Sequence, residues 1–370
     1  MSKTRTGYRF LFAGGGTGGH LFPAIAVAEE IKHLVPEAEI LFVGTKSKIE
    51  GKVVPQLGYK FKSIWIKGFS RRISLDNLLF PLKVVVSIVQ SIFINMMFKP
   101  KVAIGSGGYV SGPAIFGSSV TGAKIILLEQ NSYPGVTTRL LEKYAEQIHI
   151  SFGDSKKYFK NAGKLLLTGN PVRTNLSSSN KEDALKEFGL LPEYKTLLVL
   201  GGSLGAGSIN NAVAELAEKF EEKKLQVIWQ TGNFYFDKYK NLSSKFVKVF
   251  PFIDKMNFAY SACDLMLARA GATTIAELLV LGVPSVLVPS PNVAENHQYF
   301  NAKSLSEYGA AILIEDKKLK NELAEKIFSL SFSEEKLSEL KKNALLMAKP
   351  DAARIIAENA IRLAKQNERN

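Results

Sequence analysis

The sequence has little cysteine and histidine, and this scarcity excludes several kinds of site. One cysteine, Cys263, in 370 residues leaves no intramolecular disulfide. Four scattered histidines form no Cys/His cluster with zinc-ligand spacing. Aspartates at D-x-D spacing and a G-x-x-x-x-G-K-[ST] loop are also absent. We therefore predict no metal site and no required cofactor, and a bound diphosphate would be held by backbone amides, helix dipoles and hydroxyls.

The N-terminus lacks the apolar stretch of a signal peptide, because polar and basic residues lead directly into the first predicted strand. With a single cysteine, this favours the cytoplasm. A composition of 46% hydrophobic and 22% charged residues is ordinary for a globular protein, and the length suits two domains.

Basic residues outnumber acids, giving a formal net charge of +14 that attracts phosphates and anionic lipids. Residues 60–101 contain eight Lys/Arg and one acid, Asp76. The sequence shows no zinc-finger spacing, helix-turn-helix signature or basic groove interleaved with aromatics, so nucleic acid is not predicted as a partner.

The same segment contains the most apolar stretch of the chain. Residues 84–98 would form a helix of about 22 Å, which is shorter than a bilayer core requires. Two interpretations remain open. The stretch is either a buried helix that packs on a sheet, or part of a surface near residues 67–99 that docks on an anionic membrane. The second surface would be ringed by Lys67, Arg71, Arg72, Lys83 and Lys99.

A glycine loop with the sequence G-G-G-T-G-G-H occupies Gly14 to His20, between an apolar strand and a helix with Pro23 in its first turns. It satisfies the dinucleotide fingerprint G-x-G-x-x-G. However, the second predicted strand ends in Gly44-Thr45-Lys46, without the acid that would hold a ribose. The sequence thus disfavours an NAD site, and His20 adds a side chain suited to proton transfer.

Strands and helices alternate along the chain, and the second half repeats the plan of the first. A second glycine loop begins at Gly201 after the predicted strand 196–200. We predict an α/β fold with two doubly wound, Rossmann-like domains that face each other across a cleft. The predicted domains are residues 1–173 and 174–350, followed by a C-terminal helix in 351–370 that packs back on the first domain.

Eight ordered motifs resemble those of the MurG family of bacterial cell-wall glycosyltransferases. They are G-G-G-T-G-G-H (14–20), G-G-Y-V-S-G-P (107–113), E-Q-N (129–131), G-N-P-V-R (169–173), G-G-S-L-G-A (201–206), F-I-D (252–254), R-A-G-A-T-T-I-A-E (269–277) and N-H-Q (296–298). The resemblance implies the GT-B fold. It also implies transfer of N-acetylglucosamine (GlcNAc) from UDP-GlcNAc to the muramyl 4-hydroxyl of lipid I, with inversion, to give lipid II.

The resemblance places the donor substrate mainly in the second domain. Ile253 and Arg173 would lie by the uracil, Glu277 would accept the ribose hydroxyls, and Gln298 and Asn131 would bind the sugar. The diphosphate would be held by Ser203, Ala272, Thr273 and Thr274, and Thr17, Gly18 and Gly19 would reach the donor from the first domain.

On the acceptor side, the resemblance implies binding by Gly15, Gly16, Tyr109 and Ser111. His20 would be the general base, with Glu129 as a competing candidate. The chain departs from the family pattern at Leu128, where many relatives have His, and at Ala270, where Ser is usual. Roles that depend on those two side chains do not transfer.

The implied location is the cytoplasmic face of the inner membrane, with other cell-wall synthesis proteins as candidate partners. Two alternatives stay open on the sequence alone. The chain could be another GT-B enzyme, with a different lipid acceptor or with UDP-GlcNAc epimerase activity, or a non-catalytic sensor of nucleotide sugars.

Overall fold

The fold is described from a computed structural model, which covers residues 7–68, 79–172, 179–202 and 204–367. The chain forms two compact units. The first comprises Met1–Val172 and Pro350–Asn370, and the second comprises Arg173–Lys349.

The first unit is built on a seven-stranded parallel sheet with the order β3-β2-β1-β4-β5-β6-β7. The strands are β1 (Arg9–Gly14), β2 (Glu39–Gly44), β3 (Lys60–Ser63), β4 (Val102–Gly107), β5 (Lys124–Glu129), β6 (Gln147–Ile150) and β7 (Leu165–Leu167). Alternate residues of β1 enter opposite cores, with Phe10 and Phe12 on one face and Leu11 and Ala13 on the other. Both faces of the sheet are covered, which explains the nearly continuous apolar runs of the central strands.

The helices of this unit connect successive strands. Up to β7 they are α1 (Gly18–Leu34), α2 (Ile49–Gln56), α3 (Phe80–Phe98), α4 (Ser111–Val120) and α5 (Val136–Leu141), among the described residues. α1 covers one face of the sheet and α4 the other.

α3 is inverted relative to an ordinary surface helix. Its buried residues are Lys83, Ser87, Ser91 and Asn95, which follow one another at four-residue spacing and form one stripe. Several of its apolar side chains are exposed, for example Val89 and Phe93. The helix is thus partly buried, since Val84, Ile94 and Phe98 also pack against the core on the sheet face that α4 covers. The helix has 19 residues.

The second unit repeats the architecture with a six-stranded parallel sheet in the order β10-β9-β8-β11-β12-β13. Its strands are β8 (Thr196–Leu200), β9 (Gln226–Gln230), β10 (Val247–Phe250), β11 (Leu265–Ala268), β12 (Ser285–Leu287) and β13 (Ile312–Leu313). Its helices, within the described residues, are α6 (Lys181–Glu187), α7 (Gly207–Ala214), α8 (Ala217–Glu222), α9 (Phe236–Tyr239), α10 (Met256–Ala262), α11 (Ala272–Leu281), α12 (His297–Glu307), α13 (Leu319–Ser331) and α14 (Glu334–Met347). The prediction of two doubly wound sheets is confirmed.

The last helix, α15 (Ala352–Gln366), belongs to the first unit although it follows the second along the chain. It packs beside α1, and Ile356, Ala360 and Ile361 enter the core that contains Phe10 and Phe12. Asn367 then donates its side-chain amide to the carbonyl oxygen of Lys101 at 3.0 Å.

Candidate functional site

In the first unit, the glycine loop lies where the strand order reverses. β1 has β2 on one side and β4 on the other, so the chain leaves β1 and β4 in opposite directions and opens a crevice at their carboxyl ends. The loop after β1 contains Gly15 and Gly16, and the loop after β4 contains Gly108 and Tyr109. His20 lies in the first turn of α1.

Close contacts with neighbouring side chains explain two of the glycines. A Cβ on Gly107, whose φ is +98°, would lie 2.7 Å from His20 Nδ1. A Cβ on Gly15 would lie 2.4 Å from the carboxyl carbon of Glu50. Both distances are too short for a side chain, so glycine allows the end of β4 to approach His20 and the β1 loop to approach Glu50.

His20 is held in one orientation by two oxygen atoms. Its Nδ1 lies 2.9 Å from the carbonyl oxygen of Ser106 and 3.2 Å from Oε1 of Gln130. A carbonyl oxygen can only accept, so Nδ1 carries the proton and Nε2 is the basic nitrogen of the neutral ring. Gln130 also donates its amide to Ser106 O at 3.0 Å, which fixes its own orientation. The sequence interpretation did not assign Ser106 or Gln130.

Glu129 is 2% exposed and supports the loop that follows β5. Its Oε1 accepts from the Asn131 amide and its Oε2 accepts from the Gly135 amide, each at 3.0 Å. Burial raises the pKa of Glu129, and hydrogen bonds from Asn131, Thr138 and Gly135 act in the opposite direction. The carboxylate thus orders the E-Q-N loop.

A second buried acid, Glu50 of α2, forms hydrogen bonds with the glycine loop after β1 and with the end of β2. It accepts from the Gly16 amide at 2.9 Å, and from the Thr45 amide and hydroxyl at 3.0 and 2.7 Å. The only indication of this role in the sequence is an acid in the first turn of α2.

Tyr109 and Ser111 have different environments. The Tyr109 ring lies against Gly16, and burial, opposed by a hydrogen bond with Thr45, raises the pKa of its phenol. Ser111 is only 1% exposed, and its hydroxyl donates to the carbonyl oxygen of Ala13 at 2.6 Å. Ser111 therefore joins the ends of β1 and β4.

The start of α1 supplies polar backbone at this crevice. Thr17 precedes the helix with an extended backbone, and the helix begins at Gly18. The amides of Gly18 and Gly19 belong to the first turn, which has no carbonyl partners within the helix. Thr17 and Gly19 are exposed. This end of α1 is suited to an anionic ligand.

The second unit has the corresponding crevice between β8 and β11. The loop after β8 contains Gly202 and Gly205, both with positive φ, and a Cβ on Gly205 would lie 1.9 Å from the Thr231 carbonyl oxygen. Two predicted site residues, Ser203 and Arg173, lie outside the described residues.

Helix α11 begins at Ala272, after Gly271, and carries several predicted donor residues. Thr273 and Thr274 precede Glu277 by four and three residues, so both lie on its side of the helix. The hydroxyl of Thr273 is buried without a hydrogen-bond partner in the described part of the chain. Glu277 Oε2 accepts a hydrogen bond from the Tyr260 hydroxyl at 2.6 Å.

The remaining predicted donor residues, Ile253, Gln298 and Asn131, occupy loops or helix starts. The Ile253 amide donates to Gln230 Oε1 at 2.8 Å, so its carbonyl is the group to consider for a ligand. Gln298 Oε1 accepts from the Ser290 amide at 2.9 Å, which leaves its side-chain nitrogen outside that bond. Asn131, half-buried, belongs to the first unit and Gln298 to the second.

Arg269 connects the elements behind this crevice. Its guanidinium donates to the carbonyl oxygens of Val288 and Pro289, to Ser208 at the start of α7, and to Asp316. The described residues contain no cluster of three or more His, Cys, Asp or Glu that could hold a metal ion.

Comparison with known proteins decides the family. Residues 10–150 match the glycosyltransferase family 28 N-terminal domain, and residues 196–356 match its C-terminal domain. The UDP-N-acetylglucosamine--N-acetylmuramyl-(pentapeptide) pyrophosphoryl-undecaprenol N-acetylglucosamine transferase of Flavobacterium psychrophilum is 41% identical over 98% of this chain and 99% of its own. The transferase of the same name from Cytophaga hutchinsonii is 42% identical over 96% and 97%. The chain belongs to the MurG family.

A solved structure agrees with this assignment. The crystal structure of Acinetobacter baumannii MurG has a TM-score of 0.77 and 26% identity to this chain, and the match covers 96% of this chain and 99% of that one. The GT-B fold implied by the motifs is therefore confirmed.

The two departures from the MurG family pattern are buried in this chain. Leu128 lies in β5 within the core, and Ala270 follows β11 without exposed surface. Apolar side chains suit both positions, because a polar group there would need a buried hydrogen-bond partner.

Proposed function

We propose that the chain transfers GlcNAc from UDP-GlcNAc to the 4-hydroxyl of N-acetylmuramic acid in lipid I, giving lipid II and UDP. Identity of 41% over nearly the full length to transferases of that name supports this function. The geometric observation that carries the mechanism is the 2.9 Å contact between His20 Nδ1 and the carbonyl oxygen of Ser106, which makes Nε2 the basic nitrogen when the ring is neutral.

In the proposed reaction, His20 acts as the general base. Nε2 takes the proton from the muramyl 4-hydroxyl as that oxygen attacks the anomeric carbon of GlcNAc. The bond from this carbon to the diphosphate oxygen breaks, the configuration inverts, and UDP leaves with the electron pair. Glu129 is the weaker candidate for the base, because it is buried and its two oxygens accept hydrogen bonds within its own loop.

The donor is assigned mainly to the second unit. The α11 N-terminus with Ala272, Thr273 and Thr274 would hold the diphosphate, and Glu277 would accept from the ribose hydroxyls. This assignment is supported by their common side of α11, where a residue one turn farther along lies about 5–6 Å away. The Ile253 carbonyl would meet the uracil, and Gln298 and Asn131 the sugar. Arg173 and Ser203 complete the proposed donor site.

The acceptor is assigned to the first unit. The amides of Gly18 and Gly19, with Thr17, would meet the diphosphates at the positive end of α1. Gly15, Gly16 and Tyr109 would line the muramyl side. We assign Ser111 to positioning, because its buried hydroxyl joins β1 and β4.

We further propose that transfer needs no divalent metal, with helix N-termini stabilising the charge of the leaving UDP. Activity should then persist in excess EDTA and change less than about twofold on addition of Mg²⁺. Activity that is lost in EDTA and restored by Mg²⁺ would contradict this part of the proposal.

The membrane is the second proposed partner, and α3 carries this proposal. Within the described residues, one helix, Phe80–Phe98, is long and apolar enough to cross a membrane by length and composition. Its polar stripe packs on α4, where Ser118 donates to Asn95 Oδ1 at 2.8 Å and Ser91 lies against Gly117. In helices surrounded by lipid, small and polar residues typically form the contact between helices, and apolar residues face the lipid.

We propose that α3 lies along the membrane surface rather than across it. The chain leaves α3 at Phe98 and enters β4, a central strand, at Val102. The basic residues Lys67 and Lys99, with Arg71 and Arg72 outside the described residues, would contact anionic headgroups at the cytoplasmic face. Lys83 instead lies in the buried stripe, near the Trp65 ring. Interaction with other cell-wall synthesis proteins stays a prediction.

The test of the function is transfer from labelled UDP-GlcNAc to lipid I by the wild type and His20→Gln. We expect lipid II from the wild type and a kcat at least about 10²-fold lower in the variant, with UDP affinity kept. Formation of an epimerised UDP-sugar instead of lipid II would favour the epimerase alternative. UDP-GlcNAc binding without turnover of any acceptor would favour the sensor.

A further inference from the structure

Tyr260 in α10 is buried, and its hydroxyl donates to Glu277 Oε2 in α11 at 2.6 Å. The tyrosine is 5% exposed, whereas Glu277 is half-buried. The two side chains come from elements separated by β11 along the chain.

This contact has the geometry of a charge-assisted hydrogen bond. An O–H···O⁻ distance of 2.5–2.7 Å is typical when a hydroxyl donates to an ionised carboxylate. A glutamate side chain has several rotatable bonds, and a fixed donor at one oxygen removes much of that freedom. The bond therefore restricts the orientation of the carboxylate.

We propose that Tyr260 is a positioning residue for recognition of the nucleoside part of the donor. It holds Oε2 and thereby fixes the orientation in which the Glu277 carboxylate would meet a ribose cis-diol. The inference rests on the proposed function, in which Glu277 binds the ribose. Its consequence is that Tyr260 contributes to affinity only when the ligand carries ribose hydroxyls.

The test compares Tyr260→Phe with the wild type on two probes, UDP and 2′,3′-dideoxy-UDP, by titration calorimetry. We expect the variant to bind UDP about tenfold more weakly, because the carboxylate loses its orientation. For dideoxy-UDP we expect the two proteins to agree within about twofold. The KM for UDP-GlcNAc should rise with the Kd while kcat stays nearly constant, because the ribose contact is the same in the ground and transition states.

Tyr239→Phe is the matched control. Tyr239 is 3% exposed in the same unit, and its hydroxyl donates to Asn211 Oδ1 at 2.6 Å. This variant loses an equivalent buried bond and should bind UDP as the wild type does.

Two outcomes for Tyr260→Phe overturn the inference: an unchanged affinity for UDP, or equal weakening of both probes. In either case, if the wild type binds UDP more tightly than dideoxy-UDP, the proposed binding of the ribose hydroxyls by Glu277 still stands. If the wild type binds the two probes equally, the assignment of Glu277 to the ribose in the proposed function fails.

Discussion

At the scale of single residues, the close contact between Gly107 and His20 predicts that a side chain at position 107 lowers catalytic activity. In Gly107→Ala, the new methyl would meet Nδ1 at 2.7 Å, and the positive φ of +98° would be strained. Displacement of the ring by even about 1 Å should lower kcat about 10²-fold. Steady-state transfer to lipid I measures the effect.

Gly122→Ala provides the control for this prediction. Gly122 has a similar φ of +88°, but nothing lies within 4 Å of its Cβ position. Its replacement should lower the free energy of unfolding by about 1 kcal/mol and leave kcat unchanged. Equal losses of kcat in the two variants would contradict the role of the close contact.

His149 predicts a dependence of stability on pH. Its ring is buried in β6 with Nδ1 unpartnered among the described residues, and burial lowers its pKa from 6.5 to about 4. Between these values the unfolded chain binds more protons, so the stabilisation is complete above pH 6.5 and is lost as the pH falls toward 4. The loss should reach about 3 kcal/mol at pH 4.

Urea unfolding between pH 4 and 7 tests this dependence in His149→Leu, which should flatten the profile. Glu129, with its raised pKa, contributes in the opposite direction, so the difference between wild type and variant is the relevant quantity. His33→Leu is the control, because the His33 side chain is 78% exposed. A parallel profile for His149→Leu would show that protonation of this ring does not affect folding.

At the scale of secondary-structure elements, sequence patterns predicted the strands that are buried on both faces. β8 was predicted at 196–200 and is observed there. The prediction was possible because every residue of this strand is buried and apolar or small. β3 was missed, because this edge strand reads Lys60-Phe61-Lys62-Ser63 and has no apolar run. Hydrophobic periodicity detects buried strands, and it does not detect an edge strand that is exposed to solvent.

The same limit applies to the candidate sites. The glycine loops were predictable because glycine is required for sharp turns at strand ends. Gln130, Glu50 and Tyr260 were not, since their partners His20, Gly16 and Glu277 are distant in sequence. Such contacts arise only when parallel strands bring their carboxyl ends together.

The inverted helix α3 predicts membrane binding through apolar contact. The double variant Val89→Glu/Phe93→Glu changes two side chains that are 61% and 64% exposed, so folding should be unaffected. Each apolar side chain that enters the interface contributes about 1.5 kcal/mol or more, so binding to anionic vesicles should fall about 100-fold.

Sedimentation with phosphatidylglycerol vesicles measures this binding. Leu346→Glu is the control, because Leu346 is similarly exposed, at 74%, but lies in α14 of the second unit. Unchanged binding by the double variant would contradict contact between α3 and lipid, and basic residues alone would then account for any association.

At the scale of the whole molecule, the order of elements along the chain differs from their grouping in the fold. The first unit is completed only when α15, at the C-terminus, packs beside α1. The second unit, by contrast, is one continuous segment. A growing chain therefore has the whole second unit before it has the last helix of the first.

This arrangement predicts that a mutation near the C-terminus weakens the N-terminal unit. Ile356 is fully buried in the core that contains Phe10 and Phe12, so Ile356→Ala should lower the stability of the first unit by about 2–5 kcal/mol. Hydrogen exchange read by mass spectrometry should show faster exchange in β1 and α1, with β8 and α11 unchanged. Ile327→Ala, at an equally buried position in α13 of the second unit, should give the reverse pattern.

UDP at 100 times its Kd should add about 2.7 kcal/mol to the stability of the unit that binds it, and in Ile356→Ala that gain should persist in the second unit. Faster exchange in β8 caused by Ile356→Ala would instead mean that the two units unfold as one.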